Sequence, residues 1–314
     1  MRKIKNLLSI PFGSNLIFRS FEKILQKSSG GYILSFHDLS PKSFEAQVEC
    51  LKPCIPIALD ELIRRYKSGK NIDNCFAITF DDGVETTIKE NWNVCKKNNW
   101  PVTFYLPTDY LNGNNLPFQK IQLLENSLEN KIYELPSILD KEQKQITKSK
   151  LITYLKDIIY IKDYQYVKKY LDFFLGLIPK KSNIKNYDYF MPKAIDWSEV
   201  KDISKNELSS FQSHGVTHTA SSALSQNELE NEMIESKELI EDCTGQKVNS
   251  FCYPYGSKKS ISELSISLAS KHFDYSTTLL KGRLRPNLNL HYLPRIDFYE
   301  ENTNSFVKMK VLLS

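Results

Sequence analysis

Three short clusters, far apart in the chain, hold the residue types that could do chemistry: Thr79-Phe80-Asp81-Asp82-Gly83, His214-Gly215-Val216-Thr217-His218 and Tyr253-Pro254-Tyr255-Gly256. Adjacent carboxylates after an apolar run can divide the work, one binding a cation and the other taking a proton. Histidines four apart offer two nitrogens that can converge on one ion. Two neutral imidazoles and a carboxylate, with positions left open for water, suit a catalytic Zn²⁺ and tolerate Co²⁺ or Ni²⁺. Tyr253-Pro254-Tyr255-Gly256 is a rigid turn that can wall a sugar pocket with an aromatic ring or present a backbone N–H to a developing oxyanion. His37, after an apolar run, can serve as a general acid, with Asp38 or a backbone carbonyl fixing its tautomer. Each cluster alone has an ordinary reading, since Asp-Asp-Gly is a common solvated turn. All of them at the ends of predicted strands are specific. His272 and His291 belong to no constellation.

The surrounding pattern must position these groups. Residues 32–36 and 75–80 read as buried strands delivering His37 and the Asp81-Asp82 pair, with further strands over 102–106, 209–213, 250–253, 275–279 and 292–296. Helical spacing falls between them at 43–51, 60–66, 86–98, 197–208 and 261–271. Ser225 and Glu228 form a capping box for a helix running to about residue 243 and ended by Gly245. Strands alternating with helices mark an α/β parallel sheet or barrel, and in a barrel functional groups gather at the C-terminal ends of strands. The rhythm breaks from about 112 to 195, where the spacing at Leu151, Ile152, Leu155 and Ile159, and at Val167, Tyr170, Leu171 and Phe174, predicts an inserted helical subdomain of two to four helices. It either packs on the barrel's side or closes over the site.

The chain has 314 residues, enough for one α/β barrel or two smaller domains. Its net charge of +5 is mild, and without a basic-aromatic motif it gives no reason to expect nucleic acid as a partner. Six cysteines (Cys50, Cys54, Cys75, Cys95, Cys243, Cys252) follow no framework spacing and read as thiols of a reducing compartment. Met1-Arg2-Lys3-Ile4-Lys5 resembles the start of a signal segment, but the stretch after it is too polar for one, so the expected location is cytoplasmic. Residues 1–31 read as an extension whose segment 14–27 forms a basic amphipathic helix. That helix either caps the barrel or makes peripheral contact with the inner face of a membrane.

With these residues in view, the chain resembles the polysaccharide deacetylases, the NodB-homology fold of carbohydrate esterase family 4. Thr79 to Gly83 is similar to the family's first motif, His214 and His218 to its second, and Tyr253 to Gly256 to the end of its third. The resemblance implies an irregular (β/α)7-type barrel over residues 32–314, interrupted by the helical insert. It implies Asp82, His214 and His218 as ligands of one divalent metal ion and Asp81 as catalytic base. It implies the Tyr255 N–H as an oxyanion donor, with Tyr253 and Pro254 on the substrate side. Cys252 stands where the family often has an arginine that orients the base, and no late histidine strand is present. An early His37 is similar to the circularly permuted branch, which gives His37 the acid role. Leu293-Pro294-Arg295-Ile296 resembles that branch's closing strand. Arg295 either supplies the missing positive charge, grouped here with the substrate-binding residues, or makes a structural salt bridge. The implied activity is hydrolysis of the N-acetyl group of an amino sugar in a bacterial surface glycan or its lipid- or nucleotide-linked precursor. A hydrolase of another carbon–nitrogen amide, or a non-catalytic glycan-binding protein, remains open at this point.

Overall fold

The computed structural model describes residues 30–135, 145–178 and 187–314. The segment 14–27, and all but the end of the expected extension, lie outside the described residues. In chain order the elements are β1 Tyr32–Phe36, α1 Pro41–Glu49, β2 Ile55–Pro56, α2 Leu59–Lys67, β3 Cys75–Phe80, α3 Glu85–Asn98 and β4 Val102–Leu106. Then come α4 Thr108–Leu111, α5 Pro117–Ser127, β5 Ile132–Glu134, β6 Gln145–Thr147, α6 Lys148–Ile158, α7 Tyr164–Leu175 and α8 Tyr187–Phe190. The last third holds α9 Trp197–Ser204, β7 Ser209–Ser213, α10 Gln226–Thr244, β8 Ser250–Cys252, α11 Glu263–His272, β9 Tyr275–Lys281, β10 Leu293–Asp297 and α12 Asn304–Leu312.

Seven parallel strands close into a barrel. The order runs β1-β10-β9-β8-β7-β4-β3, and β1 pairs back onto β3 over five residues from Tyr32↔Phe76 to Phe36↔Phe80. The two-residue β2, which sequence reasoning missed, pairs in parallel with the first two residues of β3. Closure with helices all round explains why β1, β3 and β4 are buried at every position rather than alternating. Side-chain direction still alternates. Phe36, Phe80, Phe104 and Phe211 sit side by side on four neighbouring strands, with ring centroids 5.3, 5.9 and 5.3 Å apart. They face the helices, where Phe44 of α1 packs on Phe36 and Phe80. The next residue along β3 therefore turns into the barrel, which is where Asp81 goes.

The Ser225–Glu228 capping box and the left-handed Gly245 cap of α10 are present. Residues 117–175 hold α5, α6 and α7 around their own core of Ile121, Leu124, Leu151, Leu155, Leu171 and Phe174. The antiparallel pair β5–β6 in the same region is too short, at three residues each, to leave a periodic signal. No helix among the described residues is long and apolar enough to cross a membrane.

Candidate metal and catalytic site

All three clusters meet at the C-terminal mouth of the barrel. The β3–α3 turn brings Asp82 round to face the histidines. Asp82 Oδ1 lies 3.6 Å from His214 Nε2 and 3.3 Å from His218 Nε2. One donor atom from each residue falls within 4.8 Å of the others. Donors about 2.1 Å from a tetrahedral ion stand about 3.4 Å apart, so this spacing fits a single small cation. His214 Nδ1 donates to the Cys252 carbonyl at 2.7 Å, which fixes the ring with Nε2 facing Asp82. Burial pushes His218 below the usual imidazole range, towards the neutral form that a metal needs. Burial alone would raise Asp82, but hydrogen bonds with His214 and His218 hold its carboxyl well below the usual range.

Each cluster contains one non-glycine residue with left-handed backbone: Asp82 (φ 74°), His218 (φ 57°) and Tyr255 (φ 61°). L-residues avoid this region, and such strain persists only where the surroundings enforce it. The enforcement is visible at His218. Glu232 of α10 is half-buried and accepts from the Val216 amide (2.6 Å), the Thr217 amide (3.0 Å) and the Thr217 hydroxyl (2.5 Å). Gly215 is required beside it, since a Cβ there would lie 2.9 Å from Glu232 Oε2 and φ is 78°. Sequence reasoning missed Glu232, one acid among several on an acidic helix. Only its position one turn below the loop marks it.

Asp81 occupies a different environment a residue away. Arg295 grips it with both ends, Nη1 to Oδ1 at 2.8 Å and Nη2 to Oδ2 at 2.6 Å. The same guanidinium donates to Thr79 Oγ1 (3.0 Å) and the Thr278 carbonyl (2.9 Å), and its Nη2 lies 3.0 Å from Cys252 Sγ. A register irregularity aims it: β10 advances from Leu293 to Arg295 while β9 advances from Thr277 to Lys281. Burial works to raise Asp81, and the charge of Arg295 outweighs it, so the carboxyl sits below its ordinary range. His37 Nε2 stands 3.5 Å from Asp81 Oδ2 on the partly open side.

Three expectations change. Arg295 is 1% exposed, so it reaches Asp81 but no substrate. Tyr253 is fully buried, its ring 5.3 Å from Phe251 and its hydroxyl donating to the His291 carbonyl, so Tyr253 walls no sugar pocket. Neither Asp38 nor a carbonyl fixes the His37 tautomer: His37 Nδ1 has no partner among the described residues, and Asp38 Oδ1 meets Thr87 instead. Tyr255 does belong to the cleft, its ring 4.7 Å from that of His218. The helical insert touches the same place, with Phe118 5.5 Å from the His218 ring and Tyr160 5.1 Å from Tyr255. His272 pairs with Glu230 at 2.7 Å, away from the site.

The family model for polysaccharide deacetylases matches residues 68–157 and 165–272, more than half of the chain, and the chain belongs to that family. The matched portions carry Asp81, Asp82, both histidines and the Tyr255 turn, and leave out His37 and Arg295. No curated protein sequence matches the chain. Among solved structures, the Streptococcus pyogenes deacetylase PplD in complex with acetate superposes with a TM-score of 0.59 at 13% identity, covering 90% of this chain and 99% of that one. IcaB from Ammonifex degensii gives 0.56 at 12% identity, covering 91% and 97%. The deacetylase domain of BpsB from Bordetella bronchiseptica gives 0.55 at 14%, covering 86% and 96%. At these identities the likeness shows the fold, which is the NodB-like barrel.

Proposed function

We propose that the protein is a metal-dependent N-deacetylase that hydrolyses the N-acetyl group of an amino sugar in a bacterial surface glycan or a precursor of one. The observation that carries this reading is the division between two adjacent carboxylates, Asp82 facing two imidazole nitrogens and Asp81 facing Arg295 and His37. Asp82, His214 and His218 hold one divalent ion, with zinc the best match to two imidazoles and a carboxylate. When bound, the ion supplies the positive charge that polarises an acetyl carbonyl and acidifies water.

The remaining steps belong to the chain. Asp81, kept ionised by Arg295, accepts a proton as water attacks the carbonyl carbon. The Tyr255 N–H, set by the left-handed turn and by Pro254 before it, donates to the oxygen that gains charge. His37 returns a proton to the departing amine, which leaves poorly until protonated. Its Nε2 reaches Asp81 and the open side together, as a group in that role must. Arg295 is a positioning residue, restoring through β10 the positive charge that the family often places where Cys252 stands.

The test is acetate release by metal-reconstituted protein from a panel of N-acetylamino sugars, free, nucleotide-linked and lipid-linked. Acetate from any member supports the reading. Silence across the panel, with one ion bound per chain, would sink it and favour another carbon–nitrogen amide.

A further inference from the structure

We infer that Phe118, carried by the helical insert, is a positioning residue for the metal site: its ring holds the His218 imidazole in the ligating orientation, a task that a hydrogen bond performs for His214. The inference rests on the metal-site reading above and deepens it. The two histidines that face Asp82 are held by different means. His214 is oriented through Nδ1, which donates to the Cys252 carbonyl at 2.7 Å. The corresponding atom of His218 is buried and has no hydrogen-bond partner among the described residues. A ligating imidazole is ordinarily fixed through its second nitrogen, so another contact must stop this ring from turning about its Cβ–Cγ bond.

Three rings do so. Those of His214 and Tyr255 stand across the His218 ring at 80° and 76°, each with its centroid 4.7 Å away. Phe118 adds a third at 5.5 Å and 58°. These spacings are those of favourable aromatic pairs. The space left beside the ring is about 10 Å³, walled on the insert's side by Pro117, Ile159, Tyr164 and Val167. That is about one water-sized sphere, too little for an imidazole to swing into. The Glu232 clamp acts on the backbone at Val216 and Thr217 and on the Thr217 hydroxyl. It sets where the loop lies, and the rings set how His218 turns.

Phe118 is itself held by a rigid element. It is the second residue of α5 and follows Pro117, whose fixed φ suits the first helical position. Gln119 Oε1 accepts from the Leu116 amide at 3.1 Å and closes the start of the helix. One and two turns on, Ile121 and Leu124 anchor α5 in the insert's own core with Leu151, Leu155 and Leu171. Phe118 stands outside that core, and its ring meets His218 instead. The seating of the insert and the geometry of the ion's ligands are therefore linked. Such linkage runs both ways, so an ion that orders His218 also steadies α5.

The experiment titrates Zn²⁺ and Co²⁺ into the chelator-stripped full chain against a chromophoric competitor. It also records the visible spectrum of the Co²⁺ form, whose d–d bands report ligand geometry. Phe118→Ala should lose at least about tenfold in affinity for both ions and show weakened, shifted Co²⁺ bands. Phe118→Tyr, which keeps the ring, should retain the wild-type affinity and spectrum. Thermal unfolding of the ion-free proteins establishes that the variants fold. In the wild-type chain, with no substitution, saturating Zn²⁺ should slow amide hydrogen exchange in α5, although α5 supplies no ligand. Wild-type affinity and spectrum in folded Phe118→Ala, or exchange in α5 indifferent to Zn²⁺, would overturn the inference and leave the metal site standing. A wild-type chain that takes up neither ion would remove both.

Discussion

Replacing Arg295 with methionine should destabilise the metal-free protein by about 3–5 kcal/mol at neutral pH, the usual consequence of leaving a buried charge without its partner. The side chain is 1% exposed and Asp81 3%, so water cannot take over. Methionine fills much of the volume but supplies none of the four short contacts to Asp81 Oδ1, Asp81 Oδ2, Thr79 and the Thr278 carbonyl. The sign of the pH dependence follows. In the wild-type chain Asp81 is held below its ordinary carboxylate value, so the pair's contribution is complete above about pH 4 and is lost as pH falls through the depressed value. In the variant only the smaller influences of His37 and His214 oppose burial, so Asp81 rises and the cost of the substitution shrinks as pH falls from neutral and the stranded carboxylate takes a proton. Denaturant unfolding of chelated protein across that range gives the stabilities. A cycle with Asp81→Asn isolates the pair, and we expect a coupling of about 3 kcal/mol, high for contacting residues. A cost under 1 kcal/mol, independent of pH and without coupling, would refute the reasoning.

Glu232→Ala should weaken divalent-ion affinity by about 10–100-fold through loss of the clamp on the Val216–Thr217 amides; competition with a chromophoric chelator measures it, and unchanged affinity would show that the loop holds itself. His37→Ala should lower kcat by about 10²–10⁴ with ion affinity unaltered, because His37 faces Asp81 rather than the metal-ligand nitrogens; a loss of ion binding would remove it from the acid role. Gly256→Ala should cost at least about 2 kcal/mol in thermal or denaturant unfolding, since its Cβ would fall 2.4 Å from the Leu279 amide at a φ of 50°. A neutral effect there would mean that the Tyr255 turn is looser than drawn.

β3, which delivers Asp81 and Asp82, was legible because it is an apolar run ending in polar residues, a signal contained in a few adjacent positions, whereas β7, Ser-Ser-Phe-Gln-Ser, was legible only as the short stretch leading to His214. The parallel alternation identified the barrel for the same reason. What stayed hidden depends on contacts between distant residues. Arg295 and Asp81 are 214 positions apart, and nothing local distinguishes a gripping arginine from a surface one; the resemblance raised the idea and left it open. Glu232 reads like its exposed neighbours on α10. The fate of Tyr253 was misread because a tyrosine in a turn motif carries no sign of which way its ring faces. The left-handed backbone at Asp82, His218 and Tyr255 was equally silent, since those residue types usually avoid it.

The account turns on Asp82, His214 and His218 holding an ion that serves a base, Asp81, which does not bind it. Stripping the protein with a chelator and returning Zn²⁺ stepwise, while reading bound ion and acetate release from its best saccharide together, tests this directly. Both should rise in parallel to one equivalent, and Asp81→Asn should take up the same equivalent and release no acetate. Full acetate release from the stripped protein, or wild-type turnover in Asp81→Asn, would contradict it.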